Sequence, residues 1–128
     1  MNIVDSSCWL EYLSGSATGD VVAPLIEETN KLVVPVITIY EVFKKLLTEA
    51  GEEQALKVAA HMKLDRVIDV NLTVSLEAAK FSKLHKLPMA DALIYATARL
   101  ENCTLWTQDA HFETLEGVRF LPKKNQRN

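Results

Sequence analysis

Cysteine is scarce: Cys8 and Cys103 are the two in 128 residues. Neither has a partner at C-x₂₋₄-C spacing, and His61, His85 and His111 are scattered, so the pattern argues against structural zinc. Two thiols that far apart are expected to be buried and reduced. Glycine is equally sparse. Gly15, Gly19, Gly51 and Gly117 form neither G-x-G-x-x-G nor G-x-x-x-x-G-K, and no G-x-S-x-G elbow exists. These absences argue against the common nucleotide-binding loops and a serine-hydrolase triad. No stretch approaches the ~20 apolar residues that span a bilayer. Asp5 arrives before any apolar run and no basic segment precedes it, so a secretory signal is not expected. The expectation is a cytoplasmic protein with no membrane association. A basic excess is also missing: 14 Lys and Arg face 17 Asp and Glu, a net charge of −3. That counts against a generally basic nucleic-acid binder. It does not exclude a local site, because a bound divalent cation reverses the sign of an acidic cluster.

The chain supplies short β-branched runs separated by amphipathic segments. Asn2 to Val4 reads as a buried strand, followed by a helix carrying Trp9, Leu10 and Leu13, with Ser6 and Ser7 as caps and Gly15 as its end. Residues 15–19 read as a turn, with Asp20 capping a helix through Glu28. Leu32-Val33-Val34, bounded by Pro35, is a second strand. Ile39, Val42, Phe43, Leu46, Leu47 and Ala50 fall at i, i+3, i+4, i+7, i+8 and i+11, one helical stripe. Glu53 to Met62 is a further helix and Val67 to Val70 a third strand. A helix over 73–85 should turn Val74, Ala78, Phe81 and Leu84 inward. Pro88 opens another helix to about Glu101, apolar on more than one face. Thr104-Leu105-Trp106 and Val118 to Leu121 complete the strands. This alternation predicts an α/β domain: a short parallel sheet flanked by helices on both faces. The domain is expected to span 1–122, with 123–128 a polar, basic, disordered tail.

In an open parallel sheet the functional crevice lies beyond the carboxyl ends of the strands. Asp5 ends the first strand, Asp109 follows the strand at 104–106, Asp91 lies in the first turn of the Pro88 helix, and Glu41 lies near the start of the helix after strand two. All four should meet at one edge. Asp91 interrupts the most buried-looking helix, where a charge is costly unless paired; the helix N-terminus compensates in part. Each residue also has a plainer role: Glu41 as a surface partner of Lys45, Asp91 as a helix-start charge, Asp109 as a turn residue. The lysines at 44, 45, 80, 83 and 86 are candidates for phosphate contacts, although a solvated face accounts for any one of them.

Four motifs in order resemble the PIN-domain family, and within it the VapC-type toxins of toxin–antitoxin pairs. They are Ile3-Val4-Asp5-Ser6-Ser7 with Trp9-Leu10; Thr38-Ile39-Tyr40-Glu41-Val42; Leu87-Pro88-Met89-Ala90-Asp91-Ala92-Leu93-Ile94-Tyr95-Ala96-Thr97-Ala98; and Thr107-Gln108-Asp109-Ala110-His111-Phe112. The resemblance runs from Ile3 to Leu121 and implies a single PIN-like domain. It further implies an Mg²⁺-dependent endoribonuclease, with Mn²⁺ as a substitute, in which Asp5, Glu41, Asp91 and Asp109 are catalytic and metal-binding and Ser6 and Thr107 support them. Asp5 and Asp91 are the metal ligands; Asp109 and Glu41 complete the shell or orient the attacking water. Implied partners are tRNA or rRNA as substrate, a cognate antitoxin, and further copies of the chain in a homodimer or larger assembly. Trp9, Tyr12, Leu13, Val21, Val22 and Leu25 are candidate docking residues. Many relatives carry a further acidic residue where His111 stands, which leaves the number of metal ions open; His111 is expected to tune the site or cap a turn. Two alternatives come from other classes. A phosphorelay receiver domain would need an acidic pair at the first strand, whereas Val4 precedes a lone Asp5. A catalytically silent PIN-like module that binds RNA or protein would not need all four acids.

Overall fold

A computed structural model describes residues 1–122, so the expected 123–128 tail lies outside the described residues. Five short strands, β1 (Asn2–Val4), β2 (Val33–Pro35), β3 (Arg66–Ile68), β4 (Thr104–Thr107) and β5 (Val118–Phe120), alternate with six helices. The helices are α1 (Ser6–Ser14), α2 (Ala17–Glu27), α3 (Val36–Glu49), α4 (Glu52–Met62), α5 (Leu72–His85) and α6 (Met89–Leu100). All strand pairings are parallel: β1-β4-β5 form one ladder and β2-β3 another. A single bridge from Asn2 to Leu32 sets the second ladder beside β1. The spatial order is therefore 3-2-1-4-5, with the chain reversing direction across the sheet between β1 and β4.

The strands are too short to bury much alone, and their apolar character on both faces is what recruits the helices. Ile3, Val33 and Leu105 join one buried cluster with Val74 and Ala78 of α5 and Ala92, Ile94 and Tyr95 of α6. Their neighbours Val4, Leu32 and Val34 join a second cluster with Cys8 and Trp9 of α1, Val22 and Ile26 of α2, Val42 of α3 and Met62 of α4. The two-faced architecture is thus as expected. Cys8 and Cys103 are both buried and free.

Several local expectations change. Asp5, not Ser6 or Ser7, is the N-cap of α1. Gly15 ends that helix in the left-handed region (φ 75°), its amide donating to the carbonyls of Glu11 and Tyr12. α2 starts earlier than Asp20, capped by the Ser16 hydroxyl, which accepts from the Gly19 amide. Gly19 is thus helical, and the reason is contact with α1: a Cβ there would lie 2.3 Å from the Glu11 carbonyl oxygen. On α3 the apolar stripe stops at Leu46; Leu47 is exposed, and so is Ala50 beyond the helix. On α5 the inner stripe runs Val74, Ala78, Phe81, His85, with the His85 ring stacked on Phe81, while Leu84 is exposed. β3 ends at Ile68 and leaves Val70 outside it. Of the candidate docking residues, Trp9 and Val22 belong to the core, whereas Leu13 and Val21 are exposed.

Candidate metal centre

The carboxyl edge of the sheet carries the site. Parallel register pairs Val4 with Trp106, so both strands run out at the same level, and the Asp5 amide continues the ladder to the Trp106 carbonyl at 2.9 Å. Asp5 is 5% exposed. Its Oδ1 accepts from the Ser6 amide (2.8 Å) and its Oδ2 from the hydroxyls of Thr107 (2.9 Å) and Ser7 (3.3 Å). Thr107, fully buried at the end of β4, also accepts the Asp109 amide at 3.0 Å, so one hydroxyl sets two of the acids. Asp109 caps a short 3₁₀ turn (Ala110–Phe112) by accepting the His111 amide. Glu41, one turn into α3, accepts the Ser6 hydroxyl at 2.6 Å. Asp91 stands in the first turn of α6 behind the helix-opening Pro88.

All four predicted acids, with Ser6, Ser7 and Gln108, line one open cleft of about 350 Å³. Burial pushes the Asp5 carboxyl up to about 6 against the pull of its hydrogen bonds, with Glu41 adding repulsion. Asp91 rises to about 7, first through burial and then through repulsion from Asp5, Asp109 and Glu41, with His111 pulling the other way. Among the described residues no Lys or Arg pairs with any of the four. Lys45 pairs with Glu49 and leaves Glu41 without that plainer role.

Four carboxylates that repel one another, in a cleft with no Lys or Arg partner among the described residues, suit a hard divalent cation with oxygen ligands and retained waters. Single ligating atoms of Asp91, Asp109 and His111 lie within 4.8 Å of one another. The buried Oε1 of Gln108, at the same wall, has no hydrogen-bond partner among the described residues.

His111 is more involved than a turn cap: its Nδ1 lies 3.1 Å from Asp109 Oδ1 and 3.7 Å from Asp91 Oδ2. The histidine ring thus lies between two of the acids. The cleft also includes two residues to which sequence reasoning assigns no site role: Ser7, which reads as a helix cap, and Gln108, which carries neither charge nor periodicity.

A family model described as PIN domain matches residues 3–118. No curated protein shows significant sequence similarity to the chain. Among solved structures, a toxin–antitoxin complex from Klebsiella pneumoniae is similar at a TM-score of 0.76 and 20% identity, covering 93% of this chain and 96% of that one. VapC20 from Mycobacterium tuberculosis, described as a sarcin–ricin loop cleaving toxin, matches at 0.73 and 19%, covering 91% and 95%. FitAcB from Neisseria gonorrhoeae matches at 0.74 and 21%, covering 95% and 98%.

Proposed function

The chain belongs to the PIN-domain family, and from that premise we propose that it is a metal-dependent endoribonuclease, the toxin of a toxin–antitoxin pair. One observation carries the reading: four carboxylates from four separate elements converge on a single cleft that lacks a lysine or arginine partner among the described residues. A structural role would pair such charges; a cluster left self-repelling is what a divalent cation stabilises. Mg²⁺ is the cation, with Mn²⁺ able to substitute.

Asp5 and Asp91 would hold the metal, Asp109 would complete its shell, and Glu41 would orient the attacking water. Thr107 fixes the Asp5 carboxylate and, through the Asp109 amide, the loop beyond it. Ser6 engages one Glu41 oxygen and leaves the other for the water. When bound, the metal lowers the pKa of a coordinated water and stabilises charge developing on the phosphoryl oxygens. His111, with Nδ1 3.1 Å from Asp109 and 3.7 Å from Asp91, tunes the placement of these two acids.

The similar structures that are toxin–antitoxin complexes support an antitoxin as partner, and the one described as cleaving the sarcin–ricin loop supports rRNA as substrate, with tRNA the other member of the same substrate class. Self-association and a cytoplasmic setting belong to the same reading. Sequencing RNA ends after expression of the chain, alongside cleavage by purified protein with Mg²⁺ or EDTA, is the test. Metal-dependent new ends at a defined site are expected. Mg²⁺-dependent RNA binding without any cut would instead favour a silent PIN-like binding module.

A further inference from the structure

Beside the cleft lies the outer face of α3. Tyr40, the residue before Glu41, is 57% exposed although it is the largest side chain on that stretch of helix. It contributes to neither buried cluster. Its ring carries the Lys44 ammonium 5.9 Å from the centroid, a contact that joins a flat apolar surface to a positive charge. With Glu41, Lys45 and Thr48 these two residues line a second hollow of about 300 Å³. Glu41 lines both, so the hollow and the acidic cleft adjoin at that residue. Lys45 is engaged by Glu49, whereas Lys44 forms no ion pair among the described residues.

A polyanion entering a cleft of four carboxylates needs positive charge at the rim, and the chain as a whole, at −3, does not supply it. One turn of α3 does. A sequence-tolerant way to hold a single-stranded nucleotide combines a basic group that tracks the backbone with an aromatic face on which a base stacks. Tyr40 and Lys44, at i and i+4, present both beside Glu41.

We propose that this hollow is a subsite for the nucleotide adjoining the scissile phosphate of a single-stranded RNA segment. The Tyr40 ring stacks its base and Lys44 meets its phosphate. The inference rests on the nuclease reading above and assigns Tyr40 and Lys44 as positioning residues, not catalytic ones.

The experiment separates binding from cutting. Anisotropy of a fluorescein-labelled single-stranded RNA 12-mer with Mg²⁺, on an Asp109→Asn background, reads affinity alone; steady-state cleavage by the otherwise unaltered chain reads KM and kcat. Tyr40→Ala should weaken binding roughly 10-fold, the loss typical of one stacked base, and raise KM by the same factor at unchanged kcat. Tyr40→Phe should keep both. Lys44→Gln should weaken binding and lower the slope of log affinity against log salt by about 0.7, the loss of one contact to a single-stranded phosphate. Wild-type affinity in Tyr40→Ala overturns the proposal and would leave the patch to a protein partner. A loss in Tyr40→Phe as large as in Tyr40→Ala overturns it too, because the ring would not be the recognised group. If the chain binds RNA without cutting, the nuclease reading fails while the Tyr40 comparison still decides the subsite. If it neither binds nor cuts, both fall.

Discussion

Replacing Asp91 with asparagine tests whether the acidic cleft is strained without its metal. In the folded protein Asp91 loses its proton near 7, whereas on the unfolded chain it does so near 3.8. Between those values the folded state binds more protons than the unfolded one. Stability conferred by the protonated form is therefore lost as pH rises, and the loss levels off above about 7. At 1.4 kcal/mol per pH unit, the metal-free protein should lose on the order of 2–3 kcal/mol from this group between pH 5 and 8. Asp5, raised to about 6, adds a shallower loss of the same sign that is complete at lower pH. Asp91→Asn removes the larger part and keeps the smaller. The helix-start charge it gives up is worth only about 0.3–1 kcal/mol. Urea unfolding in chelator at pH 5 and pH 8 reads the slope directly. A second arm adds Mg²⁺, which should stabilise the wild type by about 2.7 kcal/mol at a hundredfold excess over Kd and the variant by much less. A metal-free variant less stable than metal-free wild type at pH 8, with wild-type pH dependence and an intact Mg²⁺ response, would refute the reasoning and make Asp91 a helix-start charge.

Asp5→Asn should cut RNA more weakly than the roughly 10–100-fold loss typical of a supporting residue, with an unchanged circular-dichroism spectrum; wild-type cleavage would remove Asp5 from the site. Thr107→Val leaves a carboxylate and an amide without their shared hydroxyl. It should weaken Mg²⁺ binding about 10–100-fold in a calorimetric titration, with Thr107→Ser restoring it. Gly19→Ala places a methyl against the Glu11 carbonyl and should cost about 1–3 kcal/mol in urea unfolding, with metal affinity unaltered because the contact lies away from the cleft.

Which parts of this arrangement can be read from the chain follows from what each signal encodes. Strand ends were legible because short β-branched runs such as Leu32-Val33-Val34 stop at a proline or an acid, and a parallel sheet brings those stops to one edge. Asp91 was legible because a charge in an otherwise apolar helix demands a partner. Periodicity identified the helices but not how far their neighbours reach. Leu47 and Leu84 continue an apolar pattern beyond the surface that covers it, and on α5 the inward position falls to His85, whose ring stacks on Phe81. Gly19 looked like part of a turn because composition does not register that two helices touch there. Gln108 carries no charge and no periodicity, so only the folded cleft reveals it. The meeting of His111 with Asp91 is likewise a matter of tertiary placement, since α6 and the 3₁₀ turn are separated by β4.

The strand order 3-2-1-4-5 has a consequence for when the protein can first act. Asp5 and Thr107 are separated by 102 positions, yet a single hydroxyl joins them. β1 lies beside both β2 and β4, so the first strand made must wait for almost the last before its carboxyl edge is complete. A nascent chain truncated before residue 104 has no partner strand for Asn2–Val4 on the β4 side and lacks Asp109 altogether. Long-range parallel pairing of this kind also closes late and slowly. The acidic edge is therefore assembled only once β4 and the residues after it have been made, and under the proposed function a chain short of that point is inert.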